Sequence, residues 1–276
     1  MITVRYQRAT LLVGAALLAL TVIAWGVTIG QAMNGMAGTS GVGGMRSGDM
    51  GAASGGIGTL VDFSATLAPT IFLPMWITMM AAMMLPSAAP MILLFDRVSR
   101  VKVAGRSSLV ATLPTAFFVA GYLLTWTAFG LGAYAVGAGL VVLDTHWSAL
   151  SMYRPTITGA LLIGAGLYQL SPLKGACLAH CRSPLEFLKH HWRTGRSAAV
   201  HMGAAHGLYC VGCCWGLMLV LFAVGLMNLA WMGLVSLLIL LEKVLPGWRR
   251  ISWSVAALLV AAGALAVAGH LPGVAS

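Results

Sequence analysis

Carboxylates are scarce in this chain: six Asp and Glu among 276 residues, against 16 Lys and Arg. So few acids leave little material for paired acid–base catalysis. Charged residues of both signs make up only 8% of the chain, where about 25% is usual for a soluble domain. There is no GxGxxG before a helix, no P-loop, no HExxH and no ordered Ser-His-Asp set, which removes the common routes to dinucleotide, nucleotide, zinc-protease and triad chemistry. No residue is nominated as catalytic, and an enzymatic role is not the expectation. Cysteine is also sparse, with five residues, none in a predicted external loop, so a disulfide framework is not expected in a reducing cytoplasm.

What the chain has instead is apolar length. It is 59% hydrophobic with mean hydropathy +0.92, the signature of a polytopic membrane protein. A span needs about 20 apolar residues. Candidate spans fall at 10–30, 69–95, 109–142, 155–173, 199–226, 229–245 and 252–270. The third is long enough for one span plus an interfacial piece, or for two short re-entrant segments. The expectation is an all-α transmembrane bundle of about seven spans with a cytoplasmic N-terminus, in a bacterial inner membrane. Its divisions are a first span at 1–30, a Gly- and Met-rich periplasmic loop at 31–68, and a bundle over 69–276 with a cytoplasmic Cys/His loop at 174–198. In this topology only Arg46 and Arg154 lie outside, so the positive-inside rule accounts for the net charge of +10 and no nucleic-acid partner is implied.

The densest ligand chemistry is HMGAAHGLYCVGCCWGLM, His201 to Met218. At about 100° per residue, Cys210, Cys213 and Met202 fall within about 40° of the direction of His206, and Cys214 within about 80°. His201 points elsewhere. Thiolate, imidazole and thioether donors select Cu(I) or Zn(II), not Mg(II) or Ca(II). A single cysteine here reads as a small packing residue; CxxCC with a histidine four positions upstream reads as a metal site.

Two other regions add soft donors. In PMWITMMAAMMLPSAAPM, Met75, Met79 and Met83 form one stripe, and Met80 and Met84 another. Methionine stripes are ordinarily adaptable packing. Pro86 and Pro90, however, free carbonyls at Ala82 and Pro86 that need a partner in lipid. Matched depth suggests that this span packs against the Cys-rich one. In QLSPLKGACLAHCRSPLEFLKHHWRTGR, Cys177 and Cys181 face the same way on a helical turn with His180 beside them, while His190, His191 and Trp192 read as headgroup anchors. Met33, Met36, Met45 and Met50 in the outer loop are equally explained by composition or by Cu(I) capture. Asp144 and His146 read as a solvated pair. Glu242 and Lys243 read as a snorkelling or paired couple at the cytoplasmic boundary, and the glycines of spans three and four as close-packing positions.

The runs MWITMMAAMMLPSAAPM, YQLSPLKGACLAHCRSPLEFL and HGLYCVGCCWGLM, with MNLAW and LLEKVLPG downstream, closely resemble a bacterial family described as predicted metal-binding integral membrane proteins, otherwise a domain of unknown function. The likeness spans roughly residues 70–250. It implies an inner-membrane protein that handles a transition metal, copper foremost, at Met75, Met79, Met83, Met84, Cys177, His180, Cys181, His206, Cys210, Cys213 and Cys214.

The leading expectation is therefore a Cu(I) permease or membrane metallochaperone for cuproenzyme assembly, with ligands in topological order from outside to inside. Its partners would be the lipid bilayer and a metallochaperone or cuproenzyme. Two alternatives stay open: a quinone-linked thiol–disulfide oxidoreductase using Cys210 and Cys213, and a non-catalytic subunit or assembly factor of a larger complex holding structural zinc.

Overall fold

A computed structural model describes residues 2–37, 69–102, 108–146, 153–224 and 228–268. The described residues are all helix and connection, without strands. In chain order the helices are α1 (Ile2–Ala37), α2 (Pro69–Lys102), α3 (Ser108–His146), α4 (Arg154–Gln169), α5 (Pro172–Arg182), α6 (Pro184–His191), α7 (Arg196–Val224), α8 (Leu229–Val244) and α9 (Trp248–Val267). Most of the Met- and Gly-rich stretch lies outside the described residues, Met45 and Met50 included, as do the side chains of Met36, Asp144 and His146.

Among the described residues, five stretches are long and apolar enough to cross a membrane: Thr10–Met33, Pro69–Val101, Thr112–Gly139, Arg196–Leu221 and Trp248–Val267. The expected third span is one helix, so the re-entrant alternative is not adopted. The expected fourth is broken: α4 ends at Gln169 and α5 leaves it at 60°. Sequence explains the break. Pro172 has no N–H with which to extend α4, and the Ser171 side chain accepts from the Lys174 amide to start a new helix. Counting that bent pair as one span gives up to six. The expected sixth span is α8, whose 16 residues reach about 24 Å, short of the roughly 30 Å apolar layer. The stretch expected as a Cys/His loop is largely helical, forming α5 and α6, each opened by proline.

Burial is inverted relative to a soluble bundle. Leu12, Leu18, Leu124, Leu208 and Leu258 are exposed, whereas Asp96, Arg100, Lys174, Glu242 and Lys243 are buried. Four of these interior charges form two ion pairs. Arg100 Nε donates to Asp96 Oδ2 at 2.7 Å, and Thr115 donates to Asp96 Oδ1 at 2.9 Å. Lys174 Nζ donates to both Glu242 oxygens at 2.7 and 2.8 Å and also to Gln169, while Ser252 donates to Glu242 Oε1.

The site is positioned by the close pair α3–α7. A Cβ added at Gly203 would lie 1.9 Å from the Phe118 carbonyl oxygen, and one at Gly121 2.1 Å from that of Val200. Small residues thus let the two backbones touch. On the other side of α3, Trp76 of α2 donates its indole N–H to the Trp126 carbonyl at 2.9 Å, lying against Gly130. α2 and α7 do not form a broad helix pair; α3 and α8 pack against both. The methionines of α2 and the cysteines of α7 nonetheless share one buried cluster.

Candidate metal centre

Cys210, Cys213 and Cys214 converge inside the bundle, as their spacing on α7 requires. Their sulfurs all lie within 4.8 Å of one another, and all three residues are buried. Among the described residues this is the one such group of three or more His, Cys, Asp or Glu donors. No carboxylate belongs to it, which disfavours hard cations. Three convergent sulfurs fit a soft, thiophilic ion.

The three sulfurs are not equivalent. The Cys213 and Cys214 thiols donate to the Cys210 carbonyl at 3.1 and 2.9 Å. The Cys210 sulfur faces polar groups from other helices. Lys243 Nζ of α8 donates to it at 3.1 Å, and the Tyr122 hydroxyl of α3 lies 3.1 Å away. Each contact ties α7 back to α2. Lys243 also donates to Ser87 Oγ at 3.0 Å, and the Tyr122 hydroxyl donates to the Met84 carbonyl at 3.4 Å. Ser236 of α8 donates to the neighbouring Met83 carbonyl at 3.2 Å. The side-chain donors found near the prolines of α2 therefore serve Met83 and Met84, not the expected Ala82 and Pro86.

The Cys-bearing α5 reaches the same centre. Cys181 Sγ lies 4.0 Å from Cys213 Sγ, and both Cys177 and Cys181 are half-buried. Cys177 fits a notch at Gly212, where an added Cβ would lie 2.6 Å from its sulfur. An inner station separate from the α7 cysteines is therefore not what folding produces; α5 brings Cys181 into contact with them.

Other expected ligands are less closely engaged. His206 is buried one turn before Cys210, its ring 5.5 to 6.2 Å from those of Phe187, Tyr122 and Phe118, and is not part of the three-sulfur group. Its Nδ1 has no hydrogen-bond partner among the described residues. His180 stacks on Tyr209 at 4.2 Å with its Nδ1 2.9 Å from the Ala176 carbonyl. His201 is exposed, as expected. Met79, Met83 and Met84 share the buried cluster with the three cysteines, and Met75 is half-buried. Trp192, partly buried, lies 5.6 Å from the Phe95 ring and packs against the buried cluster.

Lys243, Tyr122 and Ser87 were not nominated from sequence. The signal for Lys243 was present: adjacent Glu and Lys at the end of a continuous apolar run, where an intramembrane charge is a functional hypothesis by default. Because α8 is short, its end lies in the core. The snorkelling expectation fails for both residues, and pairing holds for Glu242.

Comparison with curated proteins and with solved structures finds no match. The family model for PpoB2, a copper chaperone, matches residues 73–266, a stretch holding all five cysteines, Lys243 and the methionines of α2 from Met75 on, and the chain belongs to that family.

Proposed function

We propose that this protein is a copper chaperone of the bacterial inner membrane, carrying Cu(I) as cargo on Cys210, Cys213 and Cys214 and passing it to a cuproenzyme or another carrier. The observation that carries this reading is the buried convergence of three sulfurs within 4.8 Å. A carrier must hold its ion firmly and still release it. Ligand exchange between sulfurs meets both needs, because each new bond forms as an old one weakens. Cys181, half-buried beside Cys213, is the residue through which exchange would begin. Met83 and Met84 supply neutral thioethers from α2, which suit Cu(I) better than Zn(II). His206, with an unpartnered buried nitrogen, is a further reserve ligand. The apolar exterior supports placement in a bilayer, where exposed leucines cost nothing.

The test is anaerobic Cu(I) loading of the full chain in detergent. The reduced protein is expected to retain stoichiometric Cu(I), and the Cys210→Ser/Cys213→Ser variant to retain none while keeping its helical circular dichroism. Undiminished copper in that double variant would overturn the assignment, and tightly held zinc in place of copper would favour a structural role.

A further inference from the structure

Three buried cations sit inside the described bundle, and two have carboxylate partners: Arg100 with Asp96 and Lys174 with Glu242. Lys243 has none among the described residues. Its Nζ donates to Cys210 Sγ at 3.1 Å and to Ser87 Oγ at 3.0 Å, and only 8% of the residue is exposed. An ammonium so placed must find its counter-charge nearby, because an isolated buried charge carries a desolvation penalty of several kcal/mol. The nearest group able to carry negative charge is the sulfur it touches. The neighbouring Glu242 is already matched by Lys174 and makes no ion pair with Lys243.

Resting on the copper reading above, we infer that Lys243 is the resident counter-cation of the sulfur site and its determinant of selectivity for a monovalent over a divalent metal. When two of the three cysteines bind as thiolates and the third stays a thiol, as the thiol donors of Cys213 and Cys214 to the Cys210 carbonyl allow, Cu(I) at the site carries one net negative charge, and Lys243 cancels it. The same two thiolates around Zn(II) are already neutral, so the lysine leaves an uncompensated positive charge. In the interior, where screening is weak, that difference falls on affinity rather than on solvent. Lys243 acts by position: it holds the Cys210 sulfur toward α8 and supplies a fixed charge, without itself offering a lone pair to the metal.

The test compares Cu(I) and Zn(II) affinities of the full chain in detergent, each by competition with a chromophoric chelator under anaerobic, reducing conditions. Lys243→Met and Lys243→Gln are expected to weaken Cu(I) binding at least about tenfold, with Zn(II) binding unchanged or tighter. Lys243→Arg, which keeps the charge, restores most of the Cu(I) preference. Gln retains an N–H donor, so its failure to rescue separates charge from hydrogen bonding. A merely structural lysine would lower both metals together, and that result, or an unchanged Cu(I) affinity in a folded uncharged variant, overturns the inference. Should neither uncharged variant fold, Ser87→Ala decides: it removes the second anchor of the ammonium and should lower the Cu(I)-to-Zn(II) affinity ratio several-fold, an unchanged ratio being the overturning result. Wild-type protein that holds no Cu(I) sinks the chaperone reading along with this one, whereas normal wild-type loading with indifferent Lys243 variants sinks this one alone.

Discussion

The sulfurs of Cys181 and Cys213 lie 4.0 Å apart although 32 residues separate them in the chain. One is half-buried on a short helix, the other buried on a long one, so the pair joins the interior of the site to its edge. It also gives a direct check of the arrangement. A mild two-electron thiol oxidant such as diamide should link Cys181 to Cys213, each thiol losing one proton and one electron to the oxidant. Peptide mapping of the oxidised protein should recover that cross-link, and Cys181→Ser should abolish it while Cys177→Ser leaves it. Prior loading with Cu(I) should slow the reaction. A map showing only Cys210 linked to Cys213 would place α5 elsewhere.

The position of α5 depends on a buried ion pair. Lys174 reaches Glu242 from the start of α5, and Arg182 at its end donates to the Glu242 and Leu245 carbonyls at 2.6 Å each. Removing one member of a buried pair strands the other, at a typical cost of about 3–5 kcal/mol. Lys174→Met or Glu242→Leu should therefore lower the thermal midpoint of the detergent-solubilised protein sharply. The double variant should recover much of the loss, because no charge is left stranded. Additive single losses in that double-mutant cycle would show that the two side chains do not act as a pair.

Close approach of α3 and α7 sets where Tyr122 meets Cys210. Gly203→Ala would put a methyl 1.9 Å from a backbone oxygen, and backbone cannot turn aside as a side chain can. The helices must separate, with an expected loss of about 1–3 kcal/mol, in the range of overpacked cores. Gly132→Ala is the matched control, since an added Cβ there meets nothing within 4 Å. Equal melting behaviour of the two variants would contradict the contact.

Sequence periodicity located the three sulfurs because they share one helix, and one helix obeys one rotation. Helix content and most long apolar helices were legible for the same reason. Chain order misled where the fold bends. Cys181 was expected at a separate inner station, yet the Ser171–Pro172 break turns α5 by 60° and packs it against α7. Lys243 was read as a boundary residue because the length of α8 looked sufficient for a span. Tyr122 gave no signal at all: an aromatic in an apolar helix is ordinary, and only the α3–α7 approach brings its hydroxyl to sulfur. Of the glycines singled out as packing positions, Gly121, Gly130, Gly159 and Gly166 make close approaches while Gly132 and Gly164 meet open space.

The methionines of α2 offer a graded test of which donors serve the ion. Tyr122 spans from the Cys210 sulfur to the Met84 carbonyl, and Lys243 from the same sulfur to Ser87, so the Met83–Ser87 turn is what α2 presents to the cluster. Met75 lies nine residues before Met84, about 14 Å along the helix axis, too far to share an ion with it. Met79 is intermediate. Leucine keeps size and apolarity, so each Met→Leu change should cost less than about 1.5 kcal/mol of stability. Met83→Leu/Met84→Leu is therefore expected to melt near the wild-type temperature yet bind Cu(I) several-fold more weakly in chelator competition. Met75→Leu should bind as wild type, and Met79→Leu should fall between them. Uniform behaviour across all three variants would leave the stripe as packing, with the cysteines alone holding the metal.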